Sequence, residues 1–260
     1  MIDCVKTYNK LGFLSGSTLK ILACIFMAFD HVGVVFFPRV DLFRIIGRLA
    51  FPLFAYFIAE GCRYSKNKAR RLLLISLIGA LYVLFYLIYE QEWYCNIFVT
   101  FSISIALIYL LKWFKKLIFE RGNIFYIALS AISFLALSTV SYLLCEIVYV
   151  EYGFKGIMLP VIISLFDLKG ISAPKKLKKL DDHYMGLACM TLGLIPLCIN
   201  ANLGKLQLFS FISVLLLGFY NGGVGNKKLK YMFYIFYPAH LVLIELISTN
   251  YYIHSVLRKD

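Results

Sequence analysis

Long apolar runs separated by short polar gaps make up almost the whole of this chain. The runs fall at residues 19–37, 42–62, 70–89, 96–112, 122–145, 153–167, 184–200, 206–221 and 231–250. Most approach the roughly 20 apolar residues that a helix needs to cross the hydrocarbon core of a bilayer. A helix on the surface of a soluble domain shows an apolar stripe backed by polar residues, whereas these runs are apolar nearly all round. The pattern predicts an all-α fold, a polytopic transmembrane helical bundle of about nine helices. The run at 153–167 is short for a crossing and reads as a little-tilted or re-entrant span. Residues 1–18 read as a short interfacial helix.

The gaps alternate in charge. Arg63, Lys66, Lys68, Arg70 and Arg71 follow the second run, and Lys112, Lys115, Lys116 and Arg121 follow the fourth. Lys169, Lys175, Lys176, Lys178 and Lys179 follow the sixth, and Lys227, Lys228 and Lys230 the eighth. Lys6, Lys10 and Lys20 fall on the same side as these gaps. The intervening gaps carry Glu90 and Glu92, then Glu151 with Lys155, then Lys205. Basic residues are retained on the cytoplasmic side. This asymmetry therefore predicts a cytoplasmic N-terminus, an odd number of spans and an external C-terminus.

Composition agrees. Of 260 residues, 61% are hydrophobic, against about 45–50% in soluble domains, and mean hydropathy is +0.80. The net charge of +13 does not point to nucleic acid, because most of the lysines and arginines cluster in the short gaps between apolar runs, where topology accounts for them. Seven cysteines at 4, 24, 62, 95, 145, 189 and 198 form no C-x-x-C and no zinc spacing, so no metal is expected. The first apolar run is too long for a signal-peptide core and no small-residue cleavage site follows it, so no cleavable signal is expected. With no repeat, linker or low-complexity tract, residues 1–260 read as a single integral membrane domain.

Inside the spans a few ionisable residues remain: Asp30, His31, Arg44, Arg48, Glu60, His240 and Glu245. Each is costly in hydrocarbon unless paired or hydrated, and so is a candidate for function. The alternative is structural, an ion pair that locks helices together. Asp30 and His31, in "FMAFDHVGVVFFP", lie in the outer half of the first span, and Arg44 and Arg48 in the outer half of the second. The i, i+4 spacing of "RIIGR" stacks both guanidinium groups on one face, and Gly47 permits close approach of another backbone. One aspartate cannot neutralise two arginines. The excess positive charge suggests an anion-binding or oxyanion-stabilising site. Adjacent residues on a helix diverge by about 100°, so Asp30 either orients His31 or serves an arginine, leaving Glu60 or another group for the imidazole.

The last run contains "FYIFYPAHL", with Tyr237, His240 and a proline at 238 that interrupts the hydrogen-bond ladder. Such interruptions are tolerated where freed carbonyls line a cavity. Before it, "GFYNGGVG" carries Asn221 in a glycine-rich turn.

"LKILACIFMAFDHVG" followed by "LFRIIGRLAFPLFAYFIAEG" resembles the opening signature of the TraX family, and "YNGGVGNKKLKYMFYIFYPAHLVLI" resembles its closing motif. The likeness runs through the whole chain in order and is less specific in the middle. There residues 85–95, "FYLIYEQEWYC", lack the Pro-Phe-Asp type sequence expected after the third span. The family's namesake acetylates the N-terminus of a conjugative pilin. The family is similar to a broader group of membrane acyltransferases that take an acyl group from cytoplasmic acyl-CoA. The resemblance implies acetyl-CoA as donor, a peptide or glycan acceptor, and the bacterial inner (cytoplasmic) membrane as location. Carried over residue by residue, it implicates His31 as working base, with Asp30, Arg44 and Arg48 around it. Glu60, Asn221, Tyr237 and His240 are then expected to bind substrate or cofactor.

A neutral imidazole can take the acceptor's proton near neutral pH, and an arginine can stabilise the tetrahedral oxyanion. Two other classes stand beside this one. Intramembrane Asp, His and Arg also mark the paths of proton-coupled transporters, although no inverted repeat of the transporter kind is visible. The third is a non-catalytic assembly or peptide-maturation partner.

Overall fold

With no water in the bilayer core, backbone N–H and C=O groups must satisfy one another, and a helix does this within one segment. The computed structural model describes residues 12–89, 91, 93–199, 201–226 and 232–257, and helices dominate them. They are α1 (Gly16–Phe36), α2 (Asp41–Gly47), α3 (Ala50–Tyr64), α4 (Lys68–Tyr89), α5 (Ile97–Phe119) and α6 (Ile124–Ile147). There follow α7 (Gly153–Ile163), α8 (Lys175–Lys178), α9 (His183–Cys198), a 3-10 helix (Ala201–Phe211), α10 (Ile212–Gly218) and α11 (Met232–Leu257).

Among the described residues, five helical stretches are long and apolar enough to cross a membrane: Gly16–Phe36, Asp41–Tyr64, Lys68–Ile88, Ile97–Phe119 and Ile124–Ile147. Four shorter apolar helices, Gly153–Ile163, His183–Cys198, Lys205–Gly218 and Ile235–Thr249, occupy the remaining expected runs. The fold is all-α in a membrane protein. Two runs differ from plain helix. The second breaks into α2 and α3 at Arg48–Leu49, and the eighth begins as 3-10 before becoming α10. Of the expected interfacial helix, residues 1–11 lie outside the described residues, and 12–15 precede the helix that starts at Gly16. The charged residues Lys6, Lys10, Glu90, Glu92, Lys227, Lys228 and Lys230 used to read the topology also lie outside them.

The chain divides into two compact units, one built on Ala55–Ile199 and the other on Lys10–Phe54 with Asn200–Asp260. In the first, α5 is central and packs against α4, α6 and α7, while α9 packs on α7. Its buried face carries Phe98, Phe101, Ile105, Leu107 and Ile108. Buried hydroxyls on that helix bond backbone carbonyls: Ser102 donates to Phe98 at 2.7 Å, and Ser104 to Thr100 at 2.9 Å and across to Ile157 at 2.7 Å. The outer helices do the reverse. Leu73, Leu77, Leu81, Leu84 and Ile88 of α4, and Ile132, Leu135, Leu143 and Ile147 of α6, are exposed. Contiguous apolar faces of that size are lipid-facing surface.

One end of this unit is aromatic. The short strands β1 (Tyr94–Cys95) and β2 (Tyr149–Val150) pair in parallel there, and the rings of Tyr82, Tyr86, Tyr94 and Tyr149 touch in succession. The other end is charged. Arg63 at the end of α3 bonds Asp167 at 2.6 Å and Asp181 at 2.5 Å, and Lys112 of α5 pairs with Asp167 at 3.2 Å. Lys115 donates to the carbonyls of Ser164, Leu165 and Asp167, the chain leaving α7, at 2.9, 3.1 and 3.0 Å.

In the second unit α1 packs against α2 and α11, and α2 against the 3-10 helix. Ser15 caps α1 by accepting from the Thr18 N–H at 3.2 Å. The segment entering α1 runs beside the segment leaving α10. Leu14 donates to the Phe219 carbonyl at 3.1 Å, Asn221 to Leu14 at 3.0 Å, and Gly16 to Gly223 at 2.7 Å.

Candidate functional site

Two glycines let side chains of α1 and α2 seat directly against the backbone of the facing helix. A Cβ at Gly33 would collide with Phe43, and one at Gly47 with the Asp30 side chain. Phe43 in turn stacks on Phe37 with ring centroids 5.0 Å apart and on Phe29 at 5.8 Å. The Asp30 carboxylate is thereby laid along the face of α2 that carries both arginines. Arg44 Nη1 lies 3.4 Å from its Oδ1, and Arg48 Nη2 donates to Oδ1 at 3.1 Å and Oδ2 at 3.4 Å. Arg48 sits at the break after α2 and also donates through Nη1 to Gln207 of the 3-10 helix at 3.5 Å. Its side chain is only 5% exposed. Among the described residues its buried Nε has no hydrogen-bond partner.

The expected facing of Asp30, Arg44 and Arg48 is therefore present. With one carboxylate between two guanidinium groups, the cluster carries an excess positive charge in a buried place. Such a cluster can receive an anion or a developing oxyanion.

His31 is one residue further on and points to a different neighbour, as the 100° step of a helix requires. Its Nδ1 lies 2.8 Å from Nε2 of His240 on α11. His240 Nδ1 lies 2.8 Å from the backbone carbonyl of Phe236, one turn back. The Phe236 ring stacks on His240 at 5.0 Å and 11°, and the Tyr237 ring meets it edge-on at 5.7 Å. His240 and Tyr237 are both buried. Asp30 thus serves the arginines, and His240 faces the imidazole.

The other expected residues lie elsewhere. Asn221 is exposed beside the start of α1, where its Oδ1 accepts from the Gly223 N–H at 2.8 Å and closes the glycine-rich turn. From Gly16 to His31 the helix rises about 22 Å at 1.5 Å per residue, so the structure does not bring Asn221 to His31. Glu60 is half-buried on α3, in the unit built on Ala55–Ile199. Among the described residues, no group of three or more His, Cys, Asp or Glu side chains is placed to hold a metal ion.

Three features escaped the sequence reading. Gln207 was one polar residue in an apolar run and gave no signal. Arg63, Lys112 and Lys115 read as loop charges, but they are the cations of the buried network with Asp167 and Asp181; the signal was two aspartates bracketing a basic stretch. Burial by itself raises the Asp167 carboxyl, and Lys112 and Arg63 outweigh that and hold it below its usual value. The last is Tyr56, whose hydroxyl lies 2.8 Å from Nδ1 of His183, with both residues fully buried.

The chain matches the TraX protein family over residues 15–248, nearly its whole length. It belongs to the TraX family. This TraX-family chain is 27% identical over 250 residues to the probable fimbrial assembly protein FimC, serogroup H1, of Dichelobacter nodosus, covering 88% of the chain and 94% of that protein. It is 31% identical over 91 residues to an uncharacterized protein of Rickettsia prowazekii (strain Madrid E), covering 35% of each. No solved structure matches it.

Proposed function

We propose that this protein is a membrane-embedded acetyltransferase that moves an acetyl group from cytoplasmic acetyl-CoA to an acceptor amine or hydroxyl at or across the membrane. The observation that carries the reading is a half-buried histidine, His31, next in sequence to a carboxylate bridging two arginines. Each group has one task. The His31 imidazole takes the proton of the acceptor N–H or O–H as that atom bonds to the thioester carbonyl carbon. The oxygen that becomes negative is stabilised by the excess charge of Arg44 and Arg48, which Asp30 holds in place. Collapse breaks the carbon–sulfur bond, and the CoA thiolate leaves with the proton held by His31.

Membership of the TraX family and the fimbrial-assembly name of the Dichelobacter relative support a peptide acceptor, the N-terminus of a pilin. The basic gaps support about nine spans with a cytoplasmic N-terminus in the inner membrane. Acetyl-CoA and the acceptor are the partners this reading requires, and the donor is a substrate rather than a resident cofactor.

The test is transfer of radiolabelled acetyl from acetyl-CoA by purified protein in detergent to a panel of pilin N-terminal peptides and glycans. His31→Ala should abolish labelling while leaving thermal stability near wild type. Absence of labelling from wild type, with proton-linked solute flux in liposomes, would replace the reading with a transporter.

A further inference from the structure

Two hydrogen bonds in series determine which nitrogen of His31 is available. A carbonyl oxygen can only accept, so the 2.8 Å contact between Phe236 O and His240 Nδ1 requires the proton on His240 Nδ1. A neutral imidazole carries one N–H, which leaves His240 Nε2 with its lone pair. That lone pair faces His31 Nδ1 at 2.8 Å, so the proton between them belongs to His31. His31 Nε2 is then the nitrogen without a proton. The opposite arrangement would set two lone pairs against each other at the Phe236 carbonyl. A ring flip of His240 is resisted by the Phe236 ring stacked on it and the Tyr237 ring at its edge. We propose that the backbone carbonyl of Phe236, acting through His240, fixes His31 in the Nδ1–H tautomer and makes Nε2 its working nitrogen. His240 is a positioning residue in this arrangement.

A neutral acceptor suits the site better than the carboxylate found behind the histidine of many hydrolases. Arg44 and Arg48 lie on the next helix, and a second carboxylate would pair with them and cancel the excess charge. His240 accepts from His31 without adding a charge. When His31 gains a proton at Nε2, the same bond becomes charge-assisted and stronger. The hydrogen bonds stand independently of the reaction, while the rate consequence rests on the acyl-transfer reading.

The experiment is nitrogen NMR of protein labelled with 15N-histidine in detergent, at a pH where the imidazoles are neutral. The chain has four histidines, and His31→Ala identifies the signals sought. Wild type should show His31 protonated on Nδ1, the form that a free imidazole side chain does not favour in water. His240→Gln keeps an acceptor oxygen and should preserve that tautomer, while His240→Phe should return His31 to Nε2–H. Transfer should fall by about 10²-fold or more in His240→Phe and much less in His240→Gln. A wild-type His31 protonated on Nε2 overturns the proposal. Equal rate loss in the two variants also overturns it. The expected tautomer in a protein without transferase activity supports the tautomer lock and overturns acyl transfer alone.

Discussion

Arg48 Nη2 reaches both carboxylate oxygens of Asp30, at 3.1 and 3.4 Å, although the two residues stand 18 apart in sequence and on different helices. Arg44 is the looser partner: its Nη1 lies 3.4 Å from Oδ1, and its side chain is 30% exposed. The two arginines are therefore not equivalent. Removing the guanidinium that is 5% exposed leaves a carboxylate that is 16% exposed with the looser partner alone, which costs up to about 3–5 kcal/mol. Arg44→Ala leaves the better pair intact and costs less than about 1 kcal/mol. Thermal melting in detergent should place Arg48→Ala far below wild type and Arg44→Ala close to it, while labelled transfer falls in both.

Gly47 should tolerate no side chain. Gly47→Ala forces Asp30 off the face of α2, and overpacking of this kind costs about 1–3 kcal/mol. Gly33→Ala, pressed against Phe43, should behave alike. Gly218 has open space around its Cα and is the control: Gly218→Ala should gain up to about 1 kcal/mol from helix propensity. Melting temperatures of the three variants check the order.

Asn221→Ala tests the separation along α1. It opens the turn that receives the Gly223 N–H and should cost about 1 kcal/mol. The rate of acetyl transfer should stay near wild type. A rate collapse without loss of stability would put Asn221 in contact with a substrate.

Asp167 makes an acid-sensitive joint. Its carboxyl is held below the usual value by Lys112 and Arg63 against the effect of burial, so its contribution is fully present above the unfolded value of about 3.9. That contribution is lost as pH falls further, through the lower folded value. Asp167→Asn should be less stable than wild type at neutral pH and should lose less on going from about pH 5 to about pH 2. Melting across that range measures the difference.

Local spacing was readable and distant pairing was not. The apolar runs, the shared face of Arg44 and Arg48, and the divergence of Asp30 from His31 all follow from helical geometry over a few residues. His31 and His240 were both visible as histidines inside apolar runs, but their contact spans 209 residues, and no periodicity encodes it. Counting lysines and arginines for topology treats every basic residue in a gap as solvated. It therefore missed that Asp167 and Asp181, bracketing one such gap, draw Arg63 and Lys112 into a buried network. The break at Arg48–Leu49 was marked by Gly47 before it and by Pro52 after it, whose missing N–H leaves the Arg48 carbonyl without its helical donor, but the unbroken apolar run around them read as one helix.

The unit that holds the histidine pair is made from the two ends of the chain, with residues 55–199 between them. Synthesis proceeds from the N-terminus, so α1 and α2 enter the membrane long before α11 exists. The charges of Asp30, Arg44 and Arg48 find one another at once, because all three lie on this first hairpin. His31 must wait for the last helix. A nascent chain that stops short of α11 therefore holds its ionic cluster but leaves His31 without His240, and the imidazole pair comes together only once α11 has been made.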